Sequence, residues 1–274
     1  MKLALLGYPL SHSVSPAMHN AALAQAGLEG WRYDAWPVEP ARLAEAVTRL
    51  RGGDYAGANV TVPHKETVIA SLDGLTPVAQ AIGAVNTLVK KDGRLIGHNT
   101  DAAGFLADLY AHGVKLARRT VLVLGAGGAA RAVVAACAGV GAAVRMTARK
   151  RVQAQAFETL APVTVYDWSS LGFLQASDGV RLIVNTTPLG MSPNAAASPW
   201  PDDVPFPPDA FVYDLVYNPP ETRLVKQARA AGLGADTGLG MLIEQGALAF
   251  ELWTGQSPSR ALMRQAAEQI LFAG

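Results

Sequence analysis

The segment that most constrains the fold runs from Val121 to Arg131 and reads VLVLGAGGAAR. Its four leading apolar residues predict a buried parallel strand, and an apolar helical pattern follows the glycines. In such a turn Gly125 permits the tight bend, Gly127 lets a pyrophosphate approach the backbone, and the small Ala130 lets the helix pack closely on the strand. The free N–H groups at the start of the helix then face the phosphates. The segment therefore predicts a Rossmann-type dinucleotide site.

The bulk composition limits the partners and the compartment. A chain of 274 residues is long enough for two modest domains with buried cores. The formal net charge of +1 gives no sign of a nucleic-acid partner, and no apolar run is long enough for a signal peptide or a membrane span. A single cysteine excludes an intrachain disulfide and favours the reducing cytoplasm. We therefore expect a cytoplasmic protein that acts on a small molecule.

Strand-like and helix-like segments alternate along most of the chain, which predicts an α/β fold with mostly parallel sheets. In the first part we expect strands near 2–7, 30–36 and 56–61, helices near 16–27 and 40–51, and a hairpin that turns at Asp92-Gly93. In the second part we expect strands at 120–124, 142–147, 180–184 and 211–215, helices after the glycine loop and near 150–160, and two final helices divided by 255–258. The first domain should end near residue 100, and the chemistry is expected in a cleft between the domains.

A proline-rich loop from Pro188 to Pro208 interrupts this alternation. It is longer than a compact domain normally contains without a structural or functional reason.

The end of the second nucleotide-domain strand indicates which nicotinamide cofactor fits. In NAD-type units an acidic residue about 20 positions past the glycine loop holds the ribose 2′-OH. Here that stretch contains no carboxylate and has Arg149, Lys150 and Arg151 in succession. A guanidinium can stack on adenine and bind a 2′-phosphate, so the pattern predicts NADP(H). A solvated helix start remains the alternative for Lys150 and Arg151 individually.

Two serines near the N-terminus suggest an anion site. Ser15 followed by Pro16 is typical of an N-cap with proline at the first helical position. The additional hydroxyl of Ser13 favours a carboxylate ligand at this helix start over a simple cap.

Three polar residues of the first domain are candidates for acid–base chemistry. Lys65 follows a strand and a proline and is expected in the first turn of a short helix; a solvated surface lysine is the alternative. Asp101 either caps the next helix or, if Thr100 caps it, is free for the site. Asn86 is either a turn-closing amide or a ligand for a polyol. None of the five histidines has zinc-ligand spacing, so we expect no metal. A nicotinamide-dependent dehydrogenase without a metal needs an organic cation to polarise the carbonyl group of its substrate, which points to Lys65.

Taken in order, eight motifs resemble the shikimate dehydrogenase family. They extend from residue 11 to residue 245 and are SHSVSP, NVTVPHK, GAVNT, NTD, GAGGAAR, NTTPLGM, DLVYNP and GLGMLIEQ. The resemblance implies an oxidoreductase that reversibly reduces 3-dehydroshikimate to shikimate with NADPH, on the route to chorismate and the aromatic amino acids. It also implies a substrate domain of residues 1–101 plus 240–274, onto which the C-terminal helices pack back, and a Rossmann NADP-binding domain of residues 102–239.

The resemblance assigns a role to each motif residue. Lys65 would be the acid–base residue, with Asp101 as its partner. The substrate contacts it implies are Ser13 and Ser15 for the carboxylate, Thr61, Asn86, Asp101 and Gln245 for the ring hydroxyls and reacting oxygen, and Tyr217 from the nucleotide domain. The cofactor contacts it implies are Gly125, Ala126, Gly127, Gly128, Ala129, Ala148, Arg149, Lys150, Leu215 and Gly238.

One departure from the family pattern concerns the cofactor. The family commonly has Asn-Arg-Thr after the second nucleotide-domain strand, whereas this chain has Ala148-Arg149-Lys150. The arginine is kept and the amide and hydroxyl are replaced. Two alternatives stay open: a quinate/shikimate dehydrogenase of broader specificity and a non-catalytic NADP-binding regulatory protein. The sequence also leaves open whether the chain forms a homodimer.

Overall fold

The computed structural model describes residues 1–11 and 13–272. The chain forms two compact units, one of residues 1–104 with 242–274 and one of residues 105–241. Both changes of unit fall inside helices, at positions two or three residues beyond the predicted boundaries. Because a helix continues through each of these positions, the boundaries do not coincide with a loop that could be recognised in the sequence.

In the part of the chain that the structure describes, six strands lie in each unit. Those of the first unit are β1 (Lys2–Gly7), β2 (Arg32–Pro37), β3 (Tyr55–Val60), β4 (Gly74–Leu75), β5 (Thr87–Lys91) and β6 (Arg94–His98). Those of the second unit are β7 (Thr120–Leu124), β8 (Ala143–Thr147), β9 (Val163–Tyr166), β10 (Val180–Asn185), β11 (Phe211–Asp214) and β12 (Ala235–Thr237).

Helices connect most of these strands. They are α1 (Ser15–Gln25), α2 (Leu43–Arg51), α3 (Pro77–Ile82), α4 (Asp101–Ala111), α5 (Gly128–Gly139), α6 (Arg151–Gln155), α7 (Ser170–Ser177), α8 (Arg223–Ala230), α9 (Leu239–Thr254) and α10 (Arg260–Phe272). Short 3-10 turns lie at Pro40–Arg42, Thr67–Ser71 and Ala156–Thr159.

The first sheet has the order β2-β1-β3-β5-β6-β4. Strand β1 pairs in parallel with β2 and β3, β4 pairs in parallel with β6, and β5 is antiparallel to both of its neighbours. Helix α10 packs against α1, which confirms the prediction that the C-terminal helices return to the first domain. The mostly parallel sheet predicted for this domain is confirmed as well.

The second sheet is parallel throughout, in the order β12-β11-β10-β7-β8-β9. This is the order of a doubly wound Rossmann sheet, in which ligands bind at the carboxyl ends of the strands where the winding reverses, here between β7 and β10. The central strand β7 is apolar on both faces, because its consecutive residues Val121, Leu122, Val123 and Leu124 are all fully buried. The predicted Rossmann fold is confirmed.

The predicted hairpin is β5-β6, and its turn adopts the conformation that the Asp-Gly pair favours. Asp92 and Gly93 have φ values of 51° and 75°, the positive pair of a type I′ turn. Several short elements escaped prediction, namely β4, β9, β12, α3, α7 and α8. Each spans two to eight residues, too few for a periodic pattern to stand out.

The proline-rich loop is part of the core of the second unit. Trp200 is 2% exposed; its ring stacks on Phe206 with centroids 4.7 Å apart and meets Phe173 edge-on at 5.3 Å. Its indole N–H donates to the carbonyl of Val204 at 2.8 Å. The loop therefore has a structural reason for its length. In the described part of the chain, no helix has the length and apolar content needed to cross a membrane.

Candidate active site

Lys65 and Asp101, which lie 36 positions apart in the sequence, meet in the first unit. The Lys65 ammonium donates to Asp101 Oδ2 at 2.6 Å, and the two side chains are only 15% and 6% exposed. A charge-assisted hydrogen bond in such a sheltered position is strong and well oriented. The pair presents a proton donor whose position is fixed by a carboxylate.

Asn86 connects this pair to the surrounding backbone. Its Nδ2 lies 2.9 Å from Asp101 Oδ1, 2.8 Å from Thr100 Oγ1 and 3.1 Å from Gln245 Oε1. Its Oδ1 accepts the backbone N–H of Thr100 at 2.8 Å. Gln245 is oriented in turn, because its Nε2 donates to the carbonyl of Leu242. Asn86 is therefore more than a turn-closing amide: it joins Asp101 and Gln245.

The start of α4 differs from both capping alternatives, Asp101 and Thr100. The N–H of Ala102 is accepted by Asn99 Oδ1 at 3.3 Å, while the Thr100 hydroxyl faces Asn86. Asn99 takes the capping position because Thr100 is drawn into the buried polar cluster. Asp101 therefore does not cap the helix, and its carboxylate oxygens accept hydrogen bonds from Asn86 and Lys65.

The predicted helix at Lys65 is a 3-10 turn, Thr67–Ser71, that begins after the lysine. Lys65 lies in the preceding bend, where its carbonyl accepts the N–H of Val85 at 2.7 Å. The prediction that Lys65 lies in the first turn of a helix was therefore wrong. The position of Lys65 follows instead from its backbone bond to the segment that carries Asn86.

His64 is a structural residue of the same bend. It is 1% exposed, and its ring Nε2 lies 2.6 Å from the carbonyl of Val38, where it donates. Thr61 lies just beyond β3; its backbone N–H donates to Leu6, and its side chain is half-buried beside Gly7. A Cβ at Gly7 would lie 2.3 Å from Thr61 Cγ2, so the glycine is required for this approach.

The N-cap prediction for Ser15 was wrong. Helix α1 includes Ser15, its N-cap is Val14, and no side chain caps it. The hydroxyl of Ser13 accepts the N–H of Ser15 at a long 3.4 Å, and Ser15 itself is buried. Pro16 is tolerated one position later in the helix than expected, since the first turn of a helix needs no donor there.

The glycine loop has the geometry that a dinucleotide requires. Gly125 has φ +104°, and a Cβ there would lie 2.7 Å from Thr187 Cγ2. Gly127 is the N-cap of α5, and a Cβ there would meet nothing within 4 Å, so the surface above it is open. Ala126, Gly128 and Ala129 complete the turn into α5, and Ala130 is fully buried. The first N–H groups of a twelve-residue helix thus border open space.

The basic run after β8 divides into paired and unpaired cations. Arg151 forms an ion pair with Asp167 at 2.5 Å. Arg149 and Lys150 are exposed, and within residues 1–11 and 13–272 their side chains have no ion pair or hydrogen bond. Ala148 is buried, and the buried hydroxyl of Thr147 has no partner in the same part of the chain. Two exposed side-chain cations without a partner in the described residues fit a phosphorylated ribose.

The ends of β10 and β11 are joined by a buried polar network that sequence reasoning missed. Asp214 accepts from Asn185 Nδ2 at 2.7 Å, from Thr222 Oγ1 at 2.6 Å and from the N–H of Val216 at 3.0 Å. Burial raises the pKa of this carboxyl to about 6, despite the three donors. Asn185 also accepts from Thr187, next to the glycine loop. The network holds the strand ends that border the nucleotide loop.

Leu215 and Gly238 lie together at the carboxyl ends of β11 and β12. A Cβ at Gly238 would lie 2.5 Å from the Leu215 carbonyl, so only glycine permits this contact. Tyr217 is half-buried two residues beyond Leu215, and desolvation raises the pKa of its phenol. These three residues belong to the second unit, whereas Lys65, Asp101, Asn86, Thr61, Gln245, Ser13 and Ser15 belong to the first.

The titratable side chains do not form a metal centre in the described part of the chain. Over residues 1–11 and 13–272, no group of three or more His, Cys, Asp or Glu side chains is placed to hold a metal ion.

Comparison with known proteins identifies the family. The sequence model of the shikimate dehydrogenase substrate binding domain matches residues 5–88, and that of the shikimate 5′-dehydrogenase C-terminal domain matches residues 238–268. The shikimate dehydrogenase (NADP(+)) of Symbiobacterium thermophilum is 45% identical over 274 residues, which cover 97% of this chain and 92% of that protein.

Solved structures are similar over the same extent. Shikimate 5-dehydrogenase from Thermus thermophilus, in complex with NADP(H) and shikimate, is 43% identical with a TM-score of 0.90, covering 99% of this chain and 100% of that one. Quinate dehydrogenase from Corynebacterium glutamicum, in complex with NAD, is 31% identical with a TM-score of 0.86, covering 97% of this chain and 98% of that one.

The fold and the site thus define a two-domain α/β oxidoreductase with a Rossmann-type nucleotide unit. Its family follows from the identity along nearly the whole chain: the protein belongs to the shikimate dehydrogenase family. The resemblance found in the eight sequence motifs is confirmed.

Proposed function

We propose that this chain is an NADP-dependent shikimate dehydrogenase that reversibly reduces 3-dehydroshikimate to shikimate, a step towards chorismate and the aromatic amino acids. The observation that carries the proposal is the sheltered Lys65–Asp101 pair, with Asn86 bonded to the same carboxylate and to Gln245. This arrangement supplies a proton donor and several hydrogen-bonding groups for a hydroxylated ring. The name of the 45% identical relative supports the same activity.

NADPH, when bound, supplies the hydride that reduces the carbonyl carbon. The Lys65 ammonium donates a proton to the carbonyl oxygen, which becomes the hydroxyl as the C=O double bond is lost. In the oxidative direction the neutral amine takes that proton back. An ammonium beside the oxygen stabilises the charge that develops there in the transition state. Asp101 holds the ammonium in place, and Asn86 holds Asp101.

The other predicted contacts remain part of the proposal. Ser13 and Ser15 would bind the substrate carboxylate, and Thr61, Asn86, Asp101 and Gln245 the ring hydroxyls. Tyr217 would contact the substrate from the second unit. The open glycine turn, the exposed Arg149 and Lys150, and the neighbouring Leu215 and Gly238 support NADP(H) as the cofactor.

Replacement of Lys65 tests the proposal directly. We expect Lys65→Ala to lower kcat for shikimate oxidation about 10²- to 10⁴-fold, the range typical of a lost general acid–base group. NADP affinity should stay nearly unchanged, because the glycine loop and the basic run belong to the other unit. Absorbance of NADPH gives the rates, and calorimetric titration gives the affinity.

Lys90→Ala is the matched control, since the Lys90 ammonium is exposed and donates to the Gly53 carbonyl. Its kcat should equal that of the wild-type chain. Near-normal turnover of Lys65→Ala would refute the assigned chemistry.

A quinate/shikimate dehydrogenase of broader specificity is the second candidate, and the likeness to a quinate dehydrogenase structure favours it. That neighbour was solved with NAD, whereas this chain has basic residues where an NAD-type unit has a carboxylate. Rates with shikimate and with quinate, each measured with NADP and with NAD, separate the two. Inactivity with all four combinations would instead support a regulatory NADP-binding protein, which the presence of both Lys65 and Asp101 disfavours.

We also propose the cytoplasm as the compartment and a homodimer as the assembly. Burial raises the pKa of the Cys137 thiol to about 12, so the only cysteine is an inert packed residue, as expected where disulfides are not used. Exposed Leu252, Ile270 and Phe272 on the C-terminal helices support self-association. Light scattering that gives the mass of one chain would reject the dimer.

A further inference from the structure

A buried line of hydrogen bonds extends from the Lys65–Asp101 pair across the first sheet. From its outer end, the Tyr33 hydroxyl donates to Asn59 Oδ1 at 2.8 Å, and Asn59 Nδ2 donates to Thr87 Oγ1 at 3.1 Å. The Thr87 hydroxyl donates to Asn86 Oδ1 at 3.1 Å, and Asn86 Nδ2 donates to Asp101 Oδ1. We refer to Tyr33, Asn59, Thr87 and Asn86 as the relay.

Backbone groups fix the orientation of both amides in the relay. The carbonyl of Asn86 accepts from Asn59 Nδ2 at 3.1 Å, which sets the orientation of that amide and leaves Oδ1 for Tyr33. The N–H of Thr100 donates to Asn86 Oδ1, which sets the second amide and leaves Nδ2 for Asp101. The Thr87 hydroxyl accepts from the Asn59 amide and donates its single proton to Asn86 Oδ1 at 3.1 Å; the Thr100 hydroxyl lies slightly farther away, at 3.3 Å. All donors therefore point towards Asp101.

The relay is sheltered from water and rigid. Tyr33, Asn59, Thr87 and Asn86 are at most 6% exposed, and Asn59 and Thr87 are register partners in β3 and β5. The Tyr33 ring stacks on His19 with centroids 4.4 Å apart. The Asn20 side chain holds the Tyr33 backbone: Asn20 Nδ2 donates to the Tyr33 carbonyl, and Asn20 Oδ1 accepts the Tyr33 N–H, both at 2.9 Å. In such surroundings aligned hydrogen bonds reinforce one another.

We propose that Thr87 is a positioning residue for the reaction: its hydroxyl transmits the fixed polarity of Tyr33 and Asn59 to Asn86, which holds Asp101 so that Oδ2 faces Lys65. This inference rests on the proposed function. Thr87 acts through Asn86, and its side chain is fully buried. Loss of the Thr87 hydroxyl should therefore lower the turnover rate and leave substrate binding nearly unchanged.

Variants of Thr87 test the relay. Thr87→Val keeps the shape and removes the hydroxyl, and we expect kcat for shikimate oxidation to fall about tenfold, since one hydrogen bond in the line is lost. KM for shikimate and for NADP should stay within about threefold. Thr87→Ser restores the hydroxyl and should recover kcat to within about twofold.

A double-mutant cycle separates positioning from general weakening of the core. Tyr33→Phe should lower kcat about threefold in the wild-type background and have no further effect in Thr87→Val, because the line is already interrupted there. Thr76→Val is the control for stability: it removes the N-cap of α3 outside the relay, and should lower the melting temperature with kcat unchanged.

The outcomes are distinct. A wild-type chain that does not oxidise shikimate would overturn the proposed function and the relay together. An active wild type with normal kcat in Thr87→Val, no recovery in Thr87→Ser, or additive effects in the cycle would overturn the relay alone. If Thr87→Val does not fold, an unchanged kcat in Tyr33→Phe overturns it equally.

Discussion

At the residue scale, one amide determines which oxygen of Asp101 faces Lys65. Asn86 is oriented by the backbone N–H of Thr100, so its donor side must face the carboxylate. Motif reading indicated Asn86, Asp101 and Lys65. It did not indicate the part played by Thr100, Asn59 or Thr87, because buried polar residues on strands carry no periodic signal and their partners are set by strand register.

The exposed cations Arg149 and Lys150 after β8 lead to a prediction on cofactor choice. Arg149→Asp should raise KM for NADPH at least about tenfold, because a carboxylate repels the 2′-phosphate that the guanidinium would bind. KM for NADH should change little, since that cofactor has no phosphate at this position. Steady-state kinetics with both cofactors provide the measurement.

Arg151 supplies the matched control. It is close in sequence but engaged with Asp167, so Arg151→Ala should leave KM for NADPH within about threefold. An equal response of both cofactors to Arg149→Asp would contradict the NADP assignment.

At the scale of elements, the segment 188–208 shows how a loop can belong to a core. It has no periodic pattern, yet it contributes Trp200 and Val204 to the apolar cluster beneath β10 and β11. Its start is tied to the DLVYNP segment, where the N–H of Ser192 donates to the carbonyl of Asn218 at 3.0 Å. Tertiary contacts therefore hold this segment in place, although its sequence has no periodic pattern.

Truncation of the buried indole tests this role. Trp200→Ala should lower the free energy of unfolding by about 3–5 kcal/mol, the usual cost of an emptied aromatic site. Urea unfolding followed by circular dichroism measures the change. Leu171→Ala, at a 64% exposed position of the same unit, should change it by less than about 0.5 kcal/mol. Similar losses in both variants would show that the loop does not contribute to the core.

At the scale of the whole molecule, the buried Asp214 should leave a signature in the pH dependence of stability. Its pKa is about 6 in the folded chain against an ordinary value of 3.8. Between these values the folded chain holds more protons than the unfolded one. The carboxyl therefore contributes most stability below pH 3.8, and this contribution is lost as the pH rises through about 6.

Asp214→Asn removes this titration. The difference in unfolding free energy between wild type and Asp214→Asn should fall by up to about 3 kcal/mol between about pH 4 and pH 7, the equivalent of two pKa units. Urea titrations across that range measure it, with the exposed Asp203→Asn as the control. A difference that stays constant with pH would show that Asp214 has an ordinary pKa in the folded chain.

The sequence alone was enough to predict the fold class, the nucleotide loop, the hairpin and the family. An apolar strand ending in glycines, an Asp-Gly turn and a series of motifs in a fixed order can all be recognised in the sequence. Which side chains meet was settled by the folded arrangement. Lys65 and Asp101 come together because β3, β5 and α4 converge, Asn99 rather than Thr100 caps α4, and Val14 rather than Ser15 precedes α1 as its N-cap. Buried polar groups choose partners by three-dimensional proximity, and a single position in the chain does not reveal that choice.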